Sequence, residues 1–300
     1  MANLRYVITF VIACMTAAIA WQARAQAPEK LPVVATFSIL ADFARNVGGE
    51  RIEVAALVGP DGDTHVYQPK PADAKELGAA GLVVVNGLGF EGWIDRLIKA
   101  SGAKAPVIVA TKGINLQKIR EEGRIGLDPH AWQSIANAKI YVANIRDGLI
   151  AADPKGEAAY RANADSYLGK LDVLEKEILA EIAKIPQGRR QIITTHDAFG
   201  YFAAAYGFRF IAPEGVSTET EASASDVAKI IRQIKAQKIP AVFLENVTDP
   251  RLVQVIAAET GARIGGTLYS DALSPPNGPA STYSAMMRNN VRELSAALAD

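Results

Sequence analysis

The sequence predicts an α/β protein with two lobes, each a parallel sheet flanked by helices, joined by one long rigid helix. Two observations carry this prediction. Short runs rich in β-branched residues alternate with amphipathic stretches, first before residue 111 and again after residue 190. A long stretch with helical spacing of apolar residues lies between these halves. Such alternation is typical of βαβ units around a parallel sheet.

The first half contains four predicted buried strands, and the stretches ILADFARNVGG and PADAKELGAAG, both ending in glycine as helices often do, predict helices between them. The strands are VVATF (33–37), IEVAALV (52–58), LVVVN (82–86) and VIVA (107–110). The second half repeats the pattern with QIITT (191–195), FRFIA (208–212), AVFLEN (241–246) and RIGGTLY (263–269), and with helical stretches near 226–238, 250–261 and 282–298.

The middle segment predicts one helix. Asp153-Pro154 is a favourable helix start, and no proline follows before Pro186. Apolar residues keep helical spacing over about 30 residues, which span roughly 45 Å at 1.5 Å per residue. The segment is either a long surface helix or a rigid connector of two lobes, and in both cases we expect no wide hinge opening. The predicted units are 26–153, 154–186 and 187–300, after a signal peptide over 1–25.

The N-terminus has the features of a secretory signal peptide. Arg5 precedes an apolar run that ends near Ala20, and Ala23-Arg24-Ala25 predicts cleavage near Ala25. The run is shorter than the roughly 20 residues of a membrane span. Lipidation at Cys14 is the competing interpretation, because VIAC resembles a lipoprotein cleavage box, although the apolar run continues past it.

Cleavage would leave 30 basic and 32 acidic residues, a net charge of −2, and no cysteine. The near balance of charge does not indicate a nucleic-acid partner. A metal site in the exported chain would have to consist of histidines and carboxylates.

All three histidines lie in loops, at least two of them just beyond predicted strands, where open parallel sheets bind ligands. His65 follows IEVAALV, His130 lies in LDPHAW, His196 follows QIITT, and Asp271 follows the last strand. Three imidazoles and one carboxylate could coordinate a divalent ion, zinc above all. Their spacing is long, however, and each residue taken alone could equally be a turn residue.

Six segments resemble motifs of the metal-binding solute-binding proteins of ABC transporters, the zinc- and manganese-uptake group. They are HVYQPKPAD (65–73), NGLGFEGW (86–93), DPHAW (128–132), THDAFGYF (195–202), GVSTETEASASDVAKII (215–231) and YSDALS (269–274). The resemblance runs from about residue 32 to the C-terminus. It implies two α/β lobes joined by a long helix, with His65 and His130 from one lobe and His196 and Asp271 from the other as metal ligands.

The resemblance also implies a preference for zinc. In that group the third ligand is His in zinc-specific members and Glu in manganese-specific members, and this chain has His196. The long His- and acid-rich loop of many zinc members is absent, since TKGINLQKIREEGRIGLD (111–128) is short and has no histidine. Metal could then arrive by another route, such as a periplasmic metallochaperone.

Four acidic residues could support the ligands. Asp128 and Asp197 flank His130 and His196, and each could hydrogen-bond an imidazole or cap a helix. Glu219 and Glu221 lie among small polar residues over 214–225, which predicts either a solvated loop or a flap that orders on metal binding. Trp93 and Trp132 are interpreted as packing residues.

These observations predict a monomeric periplasmic protein, not an enzyme, that binds one Zn²⁺ and delivers it to an inner-membrane ABC permease. Three alternatives remain. One is a manganese- or iron-binding component of the same transporter class, and another is an adhesin-like surface role, which lipidation would favour. The third is a secreted zinc hydrolase, which would need an open metal position and a base such as Glu219 or Glu221.

Overall fold

The computed structural model describes residues 30–121, 124–219 and 222–299. The predicted signal peptide, its cleavage point near Ala25, the alternative lipidation site Cys14 and the flap residue Glu221 lie outside the described residues. None of the helices in the described ranges is long and apolar enough to cross a membrane.

The first half of the chain forms the N-terminal lobe, which is built around a four-stranded parallel sheet. Its elements are β1 (Leu31–Phe37), α1 (Ser38–Gly48), β2 (Ile52–Val58), α2 (Pro71–Ala79), β3 (Leu82–Val85), α3 (Ile94–Ser101) and β4 (Val107–Val109). The strand order is β2-β1-β3-β4, and the helices connect successive strands.

The predicted strand at 107–110 lies at the edge of the sheet, where β4 pairs with β3, and it is only partly buried. Val107 and Val109 are each 43% exposed, whereas Ala110 is fully buried. A run of β-branched residues does not distinguish a central strand from an edge strand.

An antiparallel hairpin that the sequence did not predict follows β4. It consists of β5 (Lys118–Glu121) and β6 (Arg124–Leu127). Both strands lie in the short segment 111–128, which has no histidine. The hairpin ends immediately before Asp128 and His130.

Two long helices follow the hairpin, α4 (Ile135–Ala152) and α5 (Glu157–Ile182). Helix α5 is shorter than predicted, 26 residues, because Pro154–Gly156 form a separate 3₁₀ turn. Its buried stripe follows the predicted spacing and packs on α1 and α4. The stripe consists of Tyr160, Ala164, Tyr167, Leu171, Leu174, Ile178 and Ile182.

The second half forms the C-terminal lobe, which is built around another four-stranded parallel sheet. Its elements are β7 (Gln191–Ile193), α6 (Gly200–Tyr206), β8 (Arg209–Ile211), α7 (Ala224–Gln237), β9 (Ala241–Glu245), α8 (Arg251–Thr260), β10 (Arg263–Leu268) and α9 (Tyr283–Leu298). The strand order is β10-β9-β7-β8. The predicted fold class, two lobes with parallel sheets flanked by helices, is confirmed.

One apolar core extends through both lobes. It includes residues of β1, of α5 and of the C-terminal helix α9, which packs against α5 and α1. A second, smaller cluster lies between α7, α8 and the second sheet. Residues from Leu31 onward form one compact unit.

Candidate metal centre

The four predicted ligands come together in one buried cluster. One side-chain donor atom from each of His65, His130, His196 and Asp271 lies within 4.8 Å of the other three. His65 is 7% exposed and the remaining three are fully buried. Residues up to 206 positions apart therefore meet at a single point between the two lobes.

The distances between ligand atoms fit a small metal ion. His65 Nε2 lies 3.2 Å from His130 Nε2 and 3.4 Å from Asp271 Oδ2, and His196 Nε2 lies 3.1 Å from Asp271 Oδ2. His130 Nε2 lies 3.6 Å from Asp271 Oδ1. Bonds of about 2.0–2.2 Å to a tetrahedral ion would separate its ligand atoms by about 3.3–3.6 Å, so the cluster needs little rearrangement.

The topology explains why these residues meet. His196 follows β7 and Asp271 follows β10, and both strands belong to the same parallel sheet. His65 lies beyond β2 of the other sheet, and His130 follows the β5–β6 hairpin. The carboxyl ends of parallel strands lie at one edge of a sheet, which is where such sheets bind ligands.

Two carboxylates hold two of the imidazoles from behind. Asp128 Oδ1 lies 2.9 Å from His130 Nδ1 and also accepts the backbone N–H of His130 at 2.9 Å. Glu245 Oε2 lies 2.6 Å from His196 Nδ1, without regular hydrogen-bond geometry. A carboxylate at Nδ1 places the proton there and leaves Nε2 free to bind metal.

Glu245 is a residue that the sequence analysis missed. Its Oε1 accepts the backbone N–H groups of Thr195 at 2.7 Å and His196 at 2.9 Å, so it orients both the main chain and the ring. It is 4% exposed. A charged residue ending the buried strand AVFLEN was the available signal, because buried carboxylates are rare without partners.

Two further acidic residues that were predicted to support the ligands, Asp197 and Glu219, have no contact of this kind with an imidazole among the described residues. Asp197 is half-buried, its backbone N–H donates to Gly215 O at 2.9 Å, and burial raises the pKa of its carboxyl group. Glu219 is exposed and borders a cavity of about 280 Å³ that His65 also lines.

The two tryptophans interpreted as packing residues also hold the main chain next to predicted ligands. Both are buried, and each donates its indole N–H to the carbonyl of the residue before a predicted ligand. Trp93 Nε1 lies 2.8 Å from Thr64 O, and Trp132 Nε1 lies 2.8 Å from Ser270 O. No local sequence pattern indicates the contact of Trp132, because Trp132 and Ser270 are 138 residues apart.

In the cluster, burial and the neighbouring charges shift the pKa values of the ionisable groups in opposite directions. Burial lowers the pKa of His65. Burial also acts to lower the pKa of His130, but the negative charge of Asp271 and the hydrogen bond to Asp128 outweigh it and raise this pKa to about 9. Burial alone would raise the pKa of Asp271, but the positive charges of His196 and His130 outweigh it and hold this pKa well below its usual range. A cation is therefore electrostatically favoured at this point.

Comparison with known proteins identifies the family. The sequence profile of the family described as "ZnuA: Zinc-uptake complex component A periplasmic" matches residues 33–297. The chain belongs to this family. The ZnuA family supplies the metal-binding solute-binding components of ABC transporters. The expectation that this chain is such a component is therefore confirmed.

Relatives and solved structures of similar length carry different metals in their names. The iron-binding protein YfeA of Yersinia pestis is 34% identical over 291 residues, covering 97% of this chain and 93% of the relative. The manganese-binding lipoprotein MntA of Bacillus subtilis (strain 168) is 34% identical over 279 residues, covering 91% of each. The periplasmic zinc-binding protein TroA from Treponema pallidum superposes with a TM-score of 0.85 at 30% identity, covering 90% of this chain and 100% of that one. Membership of the ZnuA family therefore does not establish zinc as the metal.

Proposed function

We propose that the chain captures one divalent transition-metal ion from outside the cytoplasm and delivers it to an ABC permease, with manganese or iron as the first candidates. The observation that carries this proposal is the buried cluster of His65, His130, His196 and Asp271. It offers three imidazole nitrogens and a carboxylate, one set of ligands for one ion per chain.

The carboxylate supports manganese or iron. Both oxygens of Asp271 face the imidazoles, and Oδ1 is buried without a hydrogen-bond partner among the described residues. A bidentate Asp271 would give five coordination with two oxygens, and carboxylate oxygen suits manganese and iron better than an all-nitrogen set does. The names of YfeA and MntA agree with this assignment.

Zinc is the second candidate for two reasons. The resemblance predicts zinc from the histidine at the third ligand position, His196, and a set of three imidazoles favours zinc. TroA, which shares the fold at 30% identity, is named as a zinc-binding protein. Monodentate coordination by Asp271 would close a tetrahedral site.

Metal content measured in the native compartment tests the assignment. Affinity alone is a poor guide, because zinc binds most nitrogen and oxygen sites more tightly than manganese or iron. Protein isolated from its own cells without added metal is expected to contain one manganese or iron ion, and loss of the protein should slow growth when that metal is limiting. Zinc in the isolated protein, with a growth defect only under zinc limitation, would replace the first candidates by the second.

The arrangement favours transport over catalysis. Four protein ligands can complete the coordination of a tetrahedral ion, whereas a catalytic zinc keeps a position for water. Glu219, the candidate base of the alternative hydrolase, is exposed. The adhesin-like alternative would add a surface role to metal binding.

The remaining proposals concern export, partners and domain limits. We propose export with cleavage near Ala25, and the mass of the mature N-terminus distinguishes this from lipidation at Cys14, which the names of lipoprotein relatives such as MntA favour. We propose that the protein is a monomer, receives metal from a metallochaperone and docks on the permease. Its proposed lobes are 26–153 and 187–300, and the connecting helix is 154–186.

A further inference from the structure

The loop that carries His65 also contacts the opposite lobe. We call residues 59–65, between β2 and α2, the strap. The backbone N–H of Asp61 donates to Leu273 O at 2.9 Å, and Asp61 Oδ1 accepts from Asn246 Nδ2 at 3.0 Å. Leu273 and Asn246 follow strands of the C-terminal lobe. The strap is therefore bonded to that lobe within four residues of a metal ligand.

Asp63, in the middle of the strap, joins the ligand to the other lobe through one carboxylate. Its Oδ1 accepts the backbone N–H of His65 at 2.9 Å, and its Oδ2 accepts the hydroxyl of Thr218 at 2.6 Å. Thr218 lies beyond β8, next to Glu219. Movement of the C-terminal lobe at Thr218 would pull on the carboxylate that fixes the main chain of His65.

The conformation of the strap depends on its contacts. Asp61 has φ 53°, in the left-handed region that non-glycine residues adopt at a cost. At the other end of the strap, the indole of Trp93 holds the carbonyl of Thr64. Contacts from both lobes together hold the backbone, so the strap is expected to relax when the lobes separate.

The strap lies on the side where the metal cluster is closest to solvent. His65 borders the cavity of about 280 Å³, together with Leu127 of the hairpin and Val216 and Ser217 of the C-terminal lobe. It is 7% exposed, whereas the other three ligands are fully buried. Asp128 and Glu245 hold the rings of His130 and His196 within the protein, while His65 depends on the strap.

We propose that Asp63 is a positioning residue for metal retention: it ties His65 to Thr218, so that the bound ion leaves on the His65 side when the contact between Thr218 and Asp63 opens. This inference rests on the proposed metal-binding function and adds the route and the control of release.

Metal release rates test the role of Thr218. Mn²⁺-loaded protein is mixed with excess fluorescent chelator, and the limiting rate, independent of chelator concentration, is measured. Thr218→Val removes a hydrogen bond to a carboxylate and is expected to release Mn²⁺ about tenfold faster. Thr218→Ser keeps the hydroxyl and should release at the wild-type rate. Thr248→Val is the matched control, since its hydroxyl has no hydrogen-bond partner within the described ranges.

A double-mutant comparison separates this role from a general loss of structure. Asp63→Ala should release Mn²⁺ faster still, because it also frees the main chain of His65, and adding Thr218→Val to it should have no further effect. An equal additional effect in that background would overturn the proposal, as would a wild-type rate in Thr218→Val that still binds one ion. A wild-type chain that takes up no metal would instead overturn the proposed function, and the retention role with it.

Discussion

At the scale of single residues, the candidate metal cluster depends on groups outside the set of four proposed ligands. His196 is held through its ring nitrogen and its main chain by one carboxylate, Glu245, at distances of 2.6–2.9 Å. His130 is held in the same way by Asp128. Each carboxylate selects the tautomer whose Nε2 lone pair faces the metal position.

Replacing Glu245 by glutamine is expected to weaken metal affinity about 10- to 100-fold. The amide oxygen can still accept the two backbone N–H groups, but the amide NH₂ would face His196 Nδ1 and favour the tautomer with the proton on Nε2. Calorimetric titration of metal-free protein measures the change. Glu219→Gln makes the same substitution at an exposed position and should leave the affinity unchanged. Equal affinities for both variants would contradict the role of Glu245.

Metal binding is expected to depend on pH through His130 and His196. Burial acts to lower the pKa of His196, but the negative charges of Glu245 and Asp271 outweigh it and raise this pKa well above its usual range. The pKa of His130 is raised to about 9, so at pH 7 its ring carries a second proton, which the ion must displace. Apparent affinity should therefore keep rising between pH 7 and 8.5, whereas an imidazole with an ordinary pKa of about 6.5 would level off near pH 7. Titrations in buffers of different ionisation enthalpy should show proton release at pH 7. A flat affinity above pH 7 would contradict this.

The stability of the metal-free protein should change in the opposite direction. A histidine whose folded-state pKa is raised contributes stability that is fully present below its unfolded pKa and is lost as pH rises through the folded value. For His130 this window extends from about pH 6.5 to about pH 9. Urea unfolding of the metal-free chain at several pH values measures the effect. His130→Gln should reduce the loss of stability without abolishing it, because the pKa of His196 is raised as well.

At the scale of secondary-structure elements, the sequence predicted more of the helices than of the sheet edges. The buried stripe of α5 follows directly from apolar spacing, because helix periodicity is local. The hairpin β5–β6 forms a two-stranded sheet of its own among the described residues, and it has few apolar residues, of which Ile125 and Leu127 are exposed. Its pattern was therefore too short to indicate a buried strand. The edge position of β4 depends on which strands pair, which a local pattern does not determine.

Two leucines of α5 provide a matched test of its packing. Leu174 is fully buried and Leu179 is 48% exposed on the same helix. Leu174→Ala should lower the free energy of unfolding by about 2–5 kcal/mol, through lost burial and the cavity left behind. Leu179→Ala should change it by less than about 0.5 kcal/mol. Denaturant unfolding of both metal-free variants measures the difference, and equal losses would show that α5 does not pack as described.

At the scale of the whole molecule, the scarcity of histidines made the cluster of candidate ligands predictable. Three histidines beyond strands or in loops, together with a family resemblance, were enough to name the set that the structure brings together. Their supports could not be predicted in the same way. Trp132 donates to Ser270 across the two lobes, and Thr218 to Asp63, and such contacts exist only once both sheets are folded and facing each other.

Because each lobe supplies two ligands, metal binding should stabilise the molecule as one unit. A ligand at 100 times its dissociation constant adds about 2.7 kcal/mol to the stability of the folded state. For a chain of this size the Tm should rise by about 5–10 °C in a single transition, since the apolar core extends through both lobes. Scanning calorimetry with and without Mn²⁺ measures this. His196→Ala should abolish the shift while leaving the metal-free transition in place, whereas two separate transitions, only one of them shifted by metal, would show that the ion does not join the lobes.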